Sequence, residues 1–245
     1  MSRFLRVTAL LGSVTVLTLL VQVVRTKLVA LQVGKAGMAL VAQFADWQTF
    51  LSTFVLLGAE QGLVALGTDA WTRGEPAAVD RLLATVRRVT VPVGFALLLL
   101  TAASPWLVPW VTGYQGSFWP GVAATAVLLT QLWVRPRQAL LNGAQAFGLL
   151  ARSRVLESVL GLLVVAPLVL LWQRDGALWS VSAIPLVGVV APAWAWRKLP
   201  RPVDQGHVGD AANEWQVLRQ FGLVSLVGAA VSNLAMLVVR RRIVA

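Results

Sequence analysis

The chain has 245 residues, of which 58% are hydrophobic and 13% charged, and its formal charge is +11. Soluble domains carry about 25% charged residues, so a water-soluble globular fold is excluded. The absence of cysteine excludes disulfides, thiolate metal sites and cysteine nucleophiles. The basic residues sit in small groups between long apolar runs, a pattern that sets membrane topology and meets anionic headgroups rather than binding nucleic acid.

A bilayer core about 30 Å thick needs roughly 20 apolar residues in a helix. The first run, Val7 to Val24, is 18 residues without a charge. It is longer than a signal-peptide core and lacks a small-x-small cleavage site, so it reads as a membrane helix. A second run spans Met38 to Gly67 and contains Asp46 and Glu60. From Val89 to Val134 there are 46 residues with no charge. That is enough for two spans, divided at the turn-rich stretch Thr112 to Ser117. Val155 to Trp172, with Glu157 near its start, and Gly176 to Trp196 are the fifth and sixth spans, and Gln220 to Val239 is the seventh. In hydrocarbon only helices or closed barrels satisfy every backbone amide. Runs such as Leu97 to Leu100 do not alternate as barrel strands do, so the expected fold class is all-α, a polytopic transmembrane helix bundle.

Orientation follows from the basic residues. With the N-terminus cytoplasmic, thirteen Lys and Arg fall on the cytoplasmic side and seven on the other, the positive-inside bias. Trp106, Trp110, Tyr114, Phe118 and Trp119 then cluster at one outward loop, and Trp172 and Trp179 flank the next, at headgroup level. Residues 197–214 are the longest hydrophilic segment, rich in proline, glycine and charge, and read as a linker. His207, the single histidine, falls there as a solvated residue.

Polar residues inside spans are costly and face a bundle interior or a water-filled cavity. Thr8, Thr15, Thr18, Gln22 and Arg25 share one helical side. So do Gln43, Asp46, Thr53 and Glu60, and so do Arg135, Gln138, Asn142 and Gln145. These three stripes predict a hydrophilic cavity, for which Arg25, Asp46 and Glu60 are the stronger indicators. The threonines fit interhelical hydrogen bonding better than a cavity. Arg154 and Glu157, three residues apart, are placed to pair. Lys27, two residues beyond Arg25, falls on a different face and is placed to snorkel to the outer headgroups. Nucleotide-binding, zinc-protease and hydrolase motifs are lacking, and no acidic cluster suits a divalent metal. No enzyme, cofactor or metal is therefore expected.

Residues 27–40 carry a basic residue, an apolar stretch and then Gly34 and Gly37. This resembles the joint between the first two helices of Wzx-type polysaccharide and O-antigen flippases, which belong to the multidrug/oligosaccharidyl-lipid/polysaccharide (MOP, MATE-like) exporter superfamily. In the family pattern, a basic residue and then G-P-x-G-x-G, Lys35 replaces the proline and Ala39 the last glycine. Leu57 to Gly62, Ala139 to Gly143, Gly176 to Leu178 and Trp215 to Arg242 resemble later family segments in the same order, with a flavour of those carrying enterobacterial common antigen.

The resemblance implies a six-helix N-terminal transmembrane lobe over 1–199, a cytoplasmic linker over 200–214, and over 215–245 the first helix of a second lobe. It implies translocation of an undecaprenyl-pyrophosphate-linked oligosaccharide across the bacterial inner membrane. Arg25, Lys27 and Arg135 would meet the pyrophosphate, Gln22, Gln43 and Asn142 the glycan, Asp46 and Glu60 would line the same cavity, and Gly34 and Gly37 would be structural loop glycines. The implied partners are the lipid-linked glycan, the bilayer, and a missing C-terminal lobe or polysaccharide polymerase machinery, with no nucleic acid. Such flippases have about twelve helices or more, so the chain is expected to act as a fragment. A lipid II flippase, a multidrug exporter and a non-transporting membrane scaffold are the alternatives.

Overall fold

The computed structural model describes residues 3–56, 59–104, 106, 108, 119–200, 220 and 231. Throughout, these residues are helical apart from short turns, and no strand occurs among them. The elements are α1 (Arg3–Leu56), α2 (Ala59–Thr72), α3 (Pro76–Ala103), α4 (Trp119–Ala126), α5 (Leu128–Gly143), α6 (Phe147–Gly188) and α7 (Val190–Lys198).

Among the described residues, three stretches are long and apolar enough to cross a membrane: Leu11–Leu56, Ala77–Ala103 and Phe147–Lys198. Within their most apolar parts only 6%, 22% and 17% of residues are buried, so most of this apolar surface points outward. Each exposed Å² of it would cost about 25 cal/mol in water, and a continuous belt of this kind needs lipid as its solvent. The chain is therefore a helical membrane protein. Trp106, Trp119, Trp172 and Trp179 are all exposed, as residues anchoring at an interface would be.

The two longest helices are not straight. In α1, Gly34 adopts φ 65° and ψ −172°, a conformation open to glycine and strained for other residues. A side-chain carbon on Gly37 would lie 2.5 Å from Cβ of Val33, whereas such atoms four residues apart on a regular helix are about 6 Å apart. The chain thus turns sharply at Gly34. Arg25, Lys27 and Lys35 belong to the helical limbs on either side of that turn. A longer non-helical joint between Val24 and Met38 does not form, because Leu28 to Leu31 and their neighbours extend the helix readily.

In α6 the reversal occurs at Gln173, with φ 44°. A carbon added at Gly176 would collide with the carbonyl of Leu168, although a straight helix would separate the two by about 12 Å. Gly161 faces Ile184, and Gly188 faces Glu157. These three pairings fix one register: residues 147–172 and 174–188 form an antiparallel helical hairpin. The expected fifth and sixth spans are its two limbs.

Packing is arranged in levels. At the level of the two bends, Val29 of α1 packs with Val165, Val169 and Ala177 of α6. The middle level joins Leu40 to Leu56 of α1 with Leu128 and Leu132 of α5 and Leu178 and Val181 of α6. At the far level, Leu63 and Ala70 of α2 meet Val79, Leu82 and Val86 of α3 and Leu140 of α5. There α3 starts at Pro76, where the missing amide hydrogen is no loss.

The expected turn at 112–117, the linker at 200–214 and the seventh helix lie outside the described residues, apart from exposed Pro200 and helical, exposed Gln220 and Val231.

Candidate functional site

Among the described residues, a markedly polar cavity lies at the far level of the bundle. It measures about 420 Å3 and is lined by Glu60 and Gln61 of α2, by Gln131, Arg135, Gln138 and Asn142 of α5, and by Arg154 and Glu157 of α6. Its backbone support is close helix contact. Gly143 of α5 lies against α2 so tightly that an added carbon would come within 2.8 Å of the Val64 carbonyl and 3.1 Å of the Thr68 amide. Only glycine permits that approach, and the approach brings α2 side chains to the polar face of α5.

The central contact is an ion pair. Arg135 Nη1 donates to Glu60 Oε1 at 3.1 Å, with the side chains 34% and 40% exposed. Arg135 Nε–H also reaches Gln131 Oε1 at 3.4 Å, a long bond from the preceding turn of the same helix. Across the cavity, Gln138 Nε2 donates to Glu157 Oε2 at 3.3 Å. Glu157 therefore takes its hydrogen bond from α5 rather than from Arg154, the neighbour that its spacing suggested. Two arginines and two glutamates leave the lining without net charge.

Of the eight residues expected to line a cavity, Glu60, Arg135 and Asn142 come together here. The others lie elsewhere. Arg25 is half-buried against α6, its Nη1 about 3.8 Å from where a side-chain carbon on Gly161 would be. Gln22 and Lys27 are exposed, and Asp46 is half-buried. Gln43 is buried, and its Oε1 has no hydrogen-bond partner. Thr15 and Thr18 of the first stripe are satisfied within their own helix: Thr15 donates to the Leu11 carbonyl at 2.8 Å and Thr18 to that of Thr15 at 2.9 Å. Gln145 leaves the third stripe altogether. It has φ 52° and ends α5, with its amide bonded to Asn142 O at 2.9 Å and that of Ala146 to Leu141 O at 3.1 Å, a Schellman arrangement.

Four polar residues of the lining fall outside the residues that the sequence marks as lining. Gln131 is four residues before Arg135 and extends its stripe by one turn. Gln61 adjoins Glu60. Arg154 and Glu157 are expected only as partners for each other. Among the described residues, no three histidine, acidic or cysteine side chains converge as a metal site requires.

Comparison with protein-family models, with curated proteins and with solved structures gives no match to this chain.

Proposed function

We propose that this chain builds part of the wall of a translocation path for an undecaprenyl-pyrophosphate-linked oligosaccharide, as a Wzx-like, MOP-type lobe of the bacterial inner membrane with its N-terminus in the cytoplasm. The observation that carries this reading is the polar cavity set among outward-facing apolar helices. Counting the limbs of α1 and α6 separately, with α3 and the α4–α5 run, gives six passes, the number one such lobe requires.

Arg135 supplies the chemistry. A guanidinium has five N–H donors, and its bonds to Glu60 and Gln131 occupy two of them. A pyrophosphate oxygen is a stronger competitor for such a group than water, because charge-assisted bidentate bonds are short and strong. On this reading Glu60 holds Arg135 in place while the path is empty and yields it to the incoming phosphate. Gln131, Gln138 and Asn142 then offer amide donors and acceptors to sugar hydroxyls. The excess of basic residues at this end of the bundle supports its cytoplasmic placement.

The test is native mass spectrometry of the purified full chain with undecaprenyl-pyrophosphate-linked oligosaccharide, comparing Arg135→Gln with the unaltered protein. Binding weakened by about tenfold or more is expected, since a charged partner is lost. Equal retention by both proteins, or no retention by either, would remove the basis of the proposal.

A scaffold without transport is the second reading. The self-satisfied threonines of α1 favour it, because they need no water-filled neighbour.

A further inference from the structure

On the opposite side of α5 from the polar cavity lies a second depression. It is a groove between α3 and α5 of about 770 Å3, lined at one end by Asp80, Arg87, Arg88 and Arg137 and along its length by apolar residues that include Val91, Phe95 and Leu132. Residues 135 and 137 are about 200° apart around a helix, so one arginine serves each depression. Pro92 and Pro136 both line the groove. Each removes an amide hydrogen and pushes on the carbonyl four residues earlier, which opens space between the two helices.

The position of the charges is informative. The charge-free run of the sequence begins at Val89 and ends at Val134. Arg87 and Arg88 lie just before its start and Arg137 just after its end, while the groove's apolar residues lie inside it. α3 and α5 therefore present cations at one common level, where an apolar belt gives way to polar surface. Arg137 is held there: its guanidinium carbon is 3.9 Å from the Trp133 ring centroid, and its Nη1 donates to the Trp133 carbonyl at 2.8 Å. Its Nε–H is buried without a hydrogen-bond partner. Three guanidinium groups face one carboxylate, Asp80.

We infer that this groove binds an anionic glycerophospholipid, with the phosphate against Arg87, Arg88 and Arg137 and an acyl chain along Val91, Phe95 and Leu132. The match is one of charge and of apolar length together. A soluble anion would use only the first, and a zwitterionic lipid would bring its own cation to the arginines. The site does not depend on the transport reading, since it lies on the other face of α5.

The experiment is native mass spectrometry of the full chain released from nanodiscs that contain equal amounts of phosphatidylglycerol and phosphatidylcholine. The unaltered protein should retain phosphatidylglycerol preferentially. Arg87→Gln and Arg137→Gln should each weaken that preference roughly fivefold, the usual share of one cation near an anionic lipid surface. Arg197→Gln, an exposed cation on α7, should leave it unchanged. Ala84→Trp, at an exposed position lining the groove, should block retention with every arginine in place, so that the test does not depend on the folding of the charge variants. Equal retention of the two lipids, an Arg137→Gln protein with intact preference, displacement by millimolar inorganic phosphate, or preference for a polyprenyl diphosphate over phosphatidylglycerol would each overturn the assignment.

Discussion

Replacing Glu60 and Arg135 by glutamine, singly and together, measures how much the cavity's central ion pair holds α2 to α5. At 3.1 Å between Nη1 and Oε1, two unit charges about 4 Å apart attract by roughly 4 kcal/mol at an effective dielectric of 20. Both side chains are about a third or more exposed to the cavity, so water screening and the cost of ordering them reduce this to a coupling of about 1 kcal/mol. Each single variant should lower the stability of the detergent-solubilised protein by roughly 1 to 2 kcal/mol, because a charge is left facing an uncharged amide. The double variant should lose less than the sum of the two. Chemical unfolding followed by circular dichroism reads all four proteins of the cycle. A coupling below about 0.3 kcal/mol would mean that the pair does not organise the site, and the account of Glu60 as the resting partner of Arg135 would fail.

Gly176→Ala places a carbon on the Leu168 carbonyl and should destabilise the protein by about 2 kcal/mol or more. Gly148→Ala, where no neighbouring atom lies within 4 Å, should be neutral or stabilising. Thermal unfolding of the two side by side checks this, and equal midpoints would argue against the α6 hairpin. Gln145→Gly should raise stability by roughly 0.5 to 1 kcal/mol, since glycine adopts the left-handed C′ position without strain, and the same scan detects it. The natural absence of cysteine makes single-cysteine labelling direct. Asn142→Cys should react with a membrane-impermeant maleimide added from the cytoplasmic side, and Leu163→Cys, on the exposed apolar face of α6, should stay unlabelled. Labelling of Asn142→Cys from the opposite side alone would invert the proposed topology.

Apolar run length and charge spacing made much of the bundle legible. The charge-free runs located the second half of α3, the first half of α5 and both limbs of α6, because the cost of unsatisfied backbone in lipid leaves so few alternatives. Gly34 drew notice through the family resemblance, and glycine is the residue that tolerates positive φ. Gln173 did not, because glutamine carries no such preference and the reversal there is imposed by packing of the limbs it joins. Helical spacing put Arg135, Gln138 and Asn142 on one face, yet periodicity names a face and not the neighbour opposite it. The contact of Arg135 with Glu60, 75 residues away, depends on how closely α2 approaches α5 at Gly143. Spacing also misled for Glu157, which turned to Gln138 across the cavity while Arg154 stayed within reach on its own helix.

The reversal of α6 within a single residue has a mechanical consequence. A connection that short stores no slack: residues 161 and 184, or 157 and 188, cannot slide past one another by even a turn without breaking the backbone path at Gln173. The two limbs must therefore travel as one lever, carrying Arg154 and Glu157 with them. A widening of the polar cavity between α5 and α6 would therefore fall on their connection, at the C′ residue Gln145 with its φ of 52°.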